Sequence, residues 1–143
     1  MNYIETEIKG VFVIEPRVFP DQRGYFFEAW KKEEFEQHVG HVDFIQDNES
    51  KSSRGVLRGL HYQKGDASQA KLVRVVKGAV LDVAVDLRRD SATFGTGVSA
   101  TYRATDHYNA RFFVDYNLLP SHSRGSREWM STLAAGLSFA VAI

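Results

Sequence analysis

A group of polar and charged side chains lies between Arg23 and Lys71, with aromatic residues among them. Its members are Arg23, Phe26, Glu28, Gln46, Asn48, Arg58, His61 and Lys71. An imidazole titrates near neutral pH, so His61 suits a general base that removes a proton from carbon. Guanidinium groups bind phosphate oxygens through paired hydrogen bonds, and amide side chains hydrogen-bond polar ligands. Together, these residue types predict a site for a sugar joined to a phosphate or a nucleotide.

Strand alternation constrains how these side chains converge. Residues two apart on a strand share a face, so we expect Phe26 and Glu28 to lie together. By the same rule, Gln46 and Asn48 should share a face. An alternative is that Gln46, Asp47 and Asn48 form only a turn.

Each member of the group also has an ordinary structural explanation. A single histidine such as His61 is more often exposed or structurally satisfied than catalytic, and Arg58 and Lys71 could be surface charges. Glu28 could pair with Arg23 at a strand end. Arg58 and His61 are three residues apart, so they need a bulge or twist to face one cavity. The joint pattern, rather than any one residue, favours a functional site.

Other chemistries have little support in this sequence. There is no cysteine, which excludes disulfides and thiolate metal sites. His38 and His41 are three residues apart, but a third metal ligand is not evident near them. The glycine-rich phosphate loops and the Gly-x-Ser-x-Gly element of esterases are absent. We therefore expect neither a metal centre nor a hydrolase triad.

Length and charge narrow the class of protein further. The 143 residues suit a single domain spanning residues 1–143. The formal net charge is zero, whereas nucleic-acid binders usually carry a basic excess. The N-terminus lacks a signal pattern, and apolar runs fall short of the roughly 20 residues that span a membrane. We expect a cytoplasmic protein that binds neither nucleic acid nor membrane.

Short apolar runs broken by Gly, Pro and Asp indicate an all-β fold. One helix is predicted at residues 31–39. Pro16 and Pro20-Asp21 are predicted to bracket a turn, and Asp21-Gln22-Arg23-Gly24 carries the glycine that such a turn needs. Strands are predicted at residues 10–15, 25–30, 44–49, 56–63, 70–76 and 79–87, with later ones near Tyr102, at 111–114 and within 133–143. Many short strands at this spacing favour a sandwich or closed barrel, and we prefer a jelly roll with one short helix.

Ordered motifs carry a resemblance to a known family. They lie at residues 20–28, 44–50, 55–63, 71–78 and 82–88, the third containing Arg-Gly-Leu-His-Tyr-Gln. In this order and spacing, they resemble the dTDP-4-dehydrorhamnose 3,5-epimerase family over residues 1 to about 96. The resemblance implies a cupin-type jelly roll that forms a homodimer and uses no metal or organic cofactor. It also implies epimerisation at C3 and C5 of a dTDP-linked 4-keto sugar, on the way to dTDP-L-rhamnose.

The resemblance assigns roles to the group described above. His61 falls on the position of the family's catalytic base, and Lys71 is expected to stabilise the enolate oxygen. The implied substrate-binding residues are Arg23, Phe26, Glu28, Gln46, Asp47, Asn48 and Arg58. In the family, a later tyrosine returns a proton and a later aspartate orients the base.

Residues 97–143 depart from the family pattern. The tyrosine and aspartate are not identifiable there, and Tyr102, Tyr108 and Tyr116 remain unassigned. All lysines precede residue 97, and the shift towards Ser, Thr and Ala fits a change of reading frame. The C-terminal part is accordingly expected to be incomplete or rearranged. Two alternatives to the epimerase therefore stay open: a catalytically impaired module that binds sugar nucleotides, and a related keto-sugar isomerase.

Overall fold

The computed structural model describes residues 1–63, 65–104, 112–115 and 139–142. These residues form ten strands, one α-helix and one short 3₁₀-helix, as the all-β prediction requires. The strands are β1 (Asn2–Glu5), β2 (Val11–Glu15), β3 (Val18–Asp21), β4 (Gly24–Phe27), β5 (Leu57–Arg58), β6 (Lys71–Arg74), β7 (Gly78–Val85), β8 (Gly97–Ala104), β9 (Phe112–Asp115) and β10 (Phe139–Ala142). The helix α1 is Lys32–His38, and the 3₁₀-helix is Gly65–Ala67.

Two four-stranded sheets make up the body of the fold. The first has the order β1-β2-β9-β6, the second has the order β5-β10-β7-β8, and the pairs are antiparallel. Strands β9 and β10 each occupy an inner position, between strands that precede them by many residues. Such long-range insertion is typical of the jelly roll, and the predicted fold class is confirmed. The strands predicted near Tyr102, at 111–114 and within 133–143 appear as β8, β9 and β10; Arg111 and residues 133–138 and 143 lie outside the described residues.

The core between the two sheets is built by strand alternation. Val11 of β2 and Ala84 of β7 are buried in one cluster with Ile8. Val73 of β6 and Val98 of β8 pack against that cluster. Because these residues come from both sheets, the faces that carry them are the inner faces.

The helix covers the outer face of the first sheet. Phe35 of α1 is fully buried and forms a second cluster with Ile14, which alternates with Val11 and so points to the opposite side of β2. Leu72 of β6 packs against the same cluster. Glu33 and Glu34 in the first turn suit the positive end of the helix dipole. The helix predicted at residues 31–39 is therefore confirmed to within a residue at each end.

Several predicted strands are shorter than expected or absent. Residues 44–49 form no strand, and the strand predicted at 56–63 is reduced to the two residues of β5. The predicted strand at 25–30 ends at Phe27. The stretch that Pro16 and Pro20 were predicted to bracket as a turn instead contains β3 at residues 18–21, whereas the predicted segment 21–24 does hold the turn, at residues 22–23. Pro20 is tolerated in β3 because β3 pairs only with β4 within the described residues, so one strand edge needs no N–H donor.

The connection from β7 to β8 is held by a buried carboxylate. Asp86 Oδ1 accepts hydrogen bonds from the backbone N and Nε of Arg88, at 2.9 and 2.8 Å. Its Oδ2 accepts from Arg88 Nη2, Ser91 Oγ and Thr93 Oγ1, at 2.8, 2.6 and 2.7 Å. Burial acts to raise the pKa of Asp86, but the hydrogen bonds from Arg88, Ser91 and Thr93 outweigh it and hold that pKa below its ordinary range. This loop therefore fixes the end of the second sheet.

Within the described residues, no helix is long and apolar enough to span a lipid bilayer.

Candidate active site

Three charged residues are directed to the space between the sheets. Lys71, half-buried at the start of β6, alternates with Leu72 and therefore shares the inner face with Val73. Arg58 of β5 lies opposite residue 140 of β10, which lies opposite Asp82 of β7. Directly opposed residues point to the same side of a sheet, so Arg58 and Asp82 also share a face. Asp82 and buried Ala84 are two residues apart on β7 and so point to the same side. That side is therefore the inner face.

Arg58 reaches the rim of this space. Its strand β5 is the edge strand of the second sheet, and its side chain is exposed. Arg58 Nε donates to Ser52 Oγ at 2.9 Å, and Nη2 donates to the carbonyl of Lys51 at 3.3 Å. These bonds involve neutral partners, so the guanidinium keeps its full charge available to an anion.

Asp82 was missed by the reasoning from sequence. It is 2% exposed and lies in register with Arg58, so it adds a buried carboxyl group to the sheet face that carries Arg58. A signal existed, because Asp82, Ala84 and Asp86 are spaced two apart in an apolar strand. A carboxylate on the buried side of such a strand must be compensated by donors or cations. Asp82 therefore belongs with Arg58 and Lys71 in the candidate site.

His61 lies on the segment that leaves β5. Its side chain is exposed, and it makes no hydrogen bond or ion pair with any residue that the structure describes. Between Arg58 and His61, Gly59 has a φ of 120°, a conformation that breaks strand alternation. The change of direction expected from their three-residue spacing is therefore present, although no contact joins the two side chains within the described part of the chain. An exposed imidazole is accessible to a substrate that enters beside Arg58.

The segment with the predicted amide ligands is irregular. Gln46, Asp47 and Asn48 are exposed and lie in residues 41–50, which form neither helix nor strand. Gln46 Nε2 donates to Asn48 Oδ1 at 3.1 Å, so these two side chains do lie together. This segment thus presents two amides and one carboxylate side by side to solvent.

The hairpin of β3 and β4 carries the remaining predicted ligands. Arg23, 90% exposed at its tip, donates from Nη2 and Nε to Asp21 Oδ2 at 2.6 and 3.1 Å. The side-chain hydrogen bond from Arg23 is the main reason that the pKa of Asp21 is lowered. The alternative pairing of Glu28 with Arg23 is therefore wrong. Phe26 is 69% exposed, and its ring centroid lies 6.4 Å from that of Phe19.

Glu28 does not join Phe26 on a common strand face. Strand β4 ends at Phe27, so the alternation that predicted a shared face stops one residue too early. Glu28 is exposed and lies near Tyr3, where burial and the charges of Glu34 and Glu28 raise the pKa of the phenol to about 12. Among the described residues, no hydrogen bond or ion pair joins the hairpin ligands to the inner group of Arg58, Lys71 and Asp82.

The two histidines considered as metal ligands have separate partners. His38 stacks on Tyr3 with ring centroids 4.5 Å apart. His41 Nδ1 lies 2.6 Å from Glu36 Oε1. No three His, Asp or Glu side chains in the described ranges are grouped to hold a metal ion.

The tail tyrosines contribute no assigned group to the site. Tyr102 lies in β8 by its backbone, and Tyr108 and Tyr116 lie outside the described residues. What the described residues offer is an accessible imidazole, two cations on or at the inner face, and a buried carboxylate. Such a set can remove a proton next to a carbonyl and stabilise the oxyanion that forms.

Comparisons with known proteins connect this chain to a family. The family model for dTDP-4-dehydrorhamnose 3,5-epimerase matches residues 5–117, so the match extends beyond residue 96, where the resemblance was expected to end. The dTDP-4-dehydrorhamnose 3,5-epimerase of Shigella flexneri is 54% identical over 105 residues, which cover 73% of this chain and 58% of that enzyme. The enzyme of the same name from Pseudomonas aeruginosa is 60% identical over 99 residues, covering 68% and 54% respectively.

A solved structure supports the same relationship over nearly the whole chain. It is dTDP-6-deoxy-D-glucose-3,5-epimerase from Legionella pneumophila in complex with dTDP-4-keto-L-rhamnose. It is 34% identical, has a TM-score of 0.75, and the alignment covers 99% of this chain and 65% of that one. The chain thus spans 58% of the length of the Shigella relative. The chain belongs to the dTDP-4-dehydrorhamnose 3,5-epimerase family.

Proposed function

We propose that this protein is an isomerase that epimerises C3 and C5 of dTDP-4-dehydro-6-deoxy-glucose, a step in dTDP-L-rhamnose synthesis. One observation carries the proposal: Arg58 and Lys71 lie on the inward-facing sides of the two sheets, with His61 on the segment that leaves Arg58. In the related Legionella protein, the bound ligand is dTDP-4-keto-L-rhamnose. Two cationic side chains and an accessible imidazole suit that class of ligand.

The proposed chemistry follows from the position of the ketone. C3 and C5 both flank the C4 carbonyl, so each of their protons is acidified by it. The imidazole of His61 takes the proton. The electron pair of the broken C–H bond moves into an enolate whose negative charge lies on the C4 oxygen. The ammonium of Lys71 stabilises that oxygen, and Arg58 binds the phosphates. A proton that originates from solvent water then adds to the opposite face and inverts the carbon.

We further propose that two copies complete the substrate site. Arg23, Phe26 and Glu28 are separate from the inner group within the described residues, although the resemblance assigns both sets to one ligand. The hairpin exposes Phe19, Tyr25 and Phe26, and Ile45 is 95% exposed on the irregular segment of residues 41–50. Apolar side chains at this density favour burial in a homodimer. Sedimentation equilibrium should report a dimer, and a monomer at micromolar concentration would contradict it.

The proposed location is the cytoplasm. A dTDP-linked sugar carries phosphate charges, and transferring such charges into hydrocarbon is very unfavourable. A substrate of this kind stays in the compartment where it is made. Fractionation of expressing cells, with a cytoplasmic marker enzyme as reference, tests this expectation.

Solvent exchange with a matched pair of histidine variants tests the catalytic proposal. We expect His61→Asn to lower deuterium incorporation from D₂O into the keto sugar by about 10²- to 10⁴-fold. Binding of dTDP, measured by calorimetry, should change little. His38→Asn is the control, because His38 lies on α1 and stacks on Tyr3. An unchanged exchange rate in His61→Asn would refute the role of the base. Binding without exchange in the parent chain would instead favour the nucleotide-binding module.

A further inference from the structure

The segment that presents Gln46 and Asn48 has no sheet or helix to hold it. Residues 41–50 form neither element, so ladder hydrogen bonds do not fix their backbone. Ligand-binding side chains need a fixed position, because a ligand that must order its own site binds more weakly. Side-chain contacts to helix α1, on the outer side of the first sheet, supply that fixation.

Aromatic contacts form the first half of the attachment. The ring centroid of Phe44 lies 5.6 Å from that of Phe35 and 5.9 Å from that of Trp30, both in edge-on arrangements. Phe35 is fully buried in the core cluster with Ile14. Phe44 therefore ties the irregular segment to the rigid part of the fold.

Charged contacts form the second half of the attachment. Lys32 Nζ lies 3.3 Å from Asp43 Oδ1 and 3.6 Å from Glu36 Oε1. His41 lies between the same two carboxylates, with Nδ1 2.6 Å from Glu36 and Nε2 3.4 Å from Asp43. These four side chains therefore form a closed ring of contacts in the order Lys32, Asp43, His41, Glu36. The hydrogen bond from Lys32, followed by the charge of His41, lowers the pKa of Asp43.

We propose that these contacts form an outer clamp that positions Gln46, Asp47 and Asn48 for the substrate, so that helix α1 sets substrate affinity from outside the site. The outer clamp consists of Trp30, Lys32, Phe35, Glu36, His41, Asp43 and Phe44. This proposal rests on the proposed function for the identity of the substrate. Phe44 is two residues before Gln46, a span of at most about 7 Å. Fixing Phe44 therefore leaves the amides little room to move.

The outer clamp is largely exposed, which indicates that its main effect is to position residues 46–48 rather than to stabilise the whole fold. Phe44 remains 39% exposed, and the side chains of Lys32 and Asp43 are mostly in solvent. Exposed ion pairs contribute little to global stability. The contacts nevertheless restrict one short segment, and that restriction acts directly on ligand affinity.

Two variants with matched controls test the outer clamp. Phe44→Ala should raise KM for the keto sugar about two- to tenfold, the effect of losing aromatic contacts, while kcat stays within about twofold. The backbone order parameters of residues 46–48, measured by ¹⁵N NMR relaxation, should fall in the free chain. Phe94→Ala removes an exposed aromatic ring from the connection between β7 and β8 and should change neither quantity.

The charged half of the outer clamp predicts a salt-sensitive effect. Asp43→Asn should raise KM less than Phe44→Ala does, and the difference from the parent chain should vanish in molar salt. Glu33→Gln removes a charge from the same helix without touching the segment and should leave KM unchanged.

The outcomes separate this proposal from the proposed function. Unchanged order parameters at residues 46–48 in Phe44→Ala overturn the outer clamp, as does an unchanged KM. If the parent chain turns over no substrate, the dissociation constant of dTDP replaces KM. In that case, weaker dTDP binding by Phe44→Ala supports the outer clamp while the catalytic proposal fails. Absence of dTDP binding in the parent chain overturns both.

Discussion

Replacing Asp86 with asparagine removes the carboxylate that holds the connection between β7 and β8. The carboxylate accepts hydrogen bonds from five donors on Arg88, Ser91 and Thr93. Breaking a buried charged pair typically costs about 3–5 kcal/mol. Arg88 is 25% exposed and can regain water, so we expect the lower end, about 3 kcal/mol. For a chain of this size, that lowers Tm by about 10 °C.

The loss should depend on pH in a defined direction. Because the folded-state pKa of Asp86 lies below its ordinary value, its carboxylate stabilises the fold above the unfolded pKa, about 3.9. That contribution is lost as pH falls below about 4 towards the folded pKa. The stability difference between the parent chain and Asp86→Asn should therefore be constant above about pH 5 and shrink in acid.

Urea unfolding, followed by tryptophan fluorescence between pH 3 and 8, measures this difference. Asp90→Asn is the control, since Asp90 is an exposed aspartate in the same connection. A cost below about 1 kcal/mol at neutral pH, within the range of ordinary surface changes, would refute the role of this carboxylate. A difference that does not shrink in acid would refute the pH argument.

Two other predictions concern the face that α1 covers. The pKa of Tyr3 should be near 12 in an ultraviolet absorbance titration referenced to Tyr3→Phe. Glu28→Gln should lower that pKa because it removes a nearby negative charge. An ordinary value near 10 would contradict the burial of Tyr3. Phe35→Ala should lower the free energy of unfolding in urea by about 3–5 kcal/mol, because removing the buried ring leaves a cavity. A loss below about 1 kcal/mol would show that the helix does not pack on the core.

Parts of the fold that depend on local pattern were predictable from the sequence. The period-two alternation in β6 and β7 predicts both strands. The apolar spacing and Gly40 predict helix α1. Residues 44–49 look like a strand by composition, yet no strand forms there because Phe44 packs on Phe35 instead of joining a sheet. Tertiary contacts therefore overrode propensity at this point.

Parts of the site that depend on long-range pairing were not predictable. Arg58 and Asp82 share a face only because β10 lies between β5 and β7, and one sequence does not reveal that register. Asp82 was consequently missed. The pairing of Arg23 with Asp21 was also not predicted, although the hairpin turn at residues 22–23 lies within the predicted segment 21–24.

Proton NMR of dTDP-4-dehydro-6-deoxy-glucose in D₂O tests the central claim most directly. With the chain present, the signals of the protons on C3 and C5 should both disappear, and the 4-keto sugar with inverted C3 and C5 should accumulate. Loss of only one signal would instead support the related keto-sugar isomerase. Persistence of both signals, under conditions where dTDP binding is demonstrated, would contradict the epimerase.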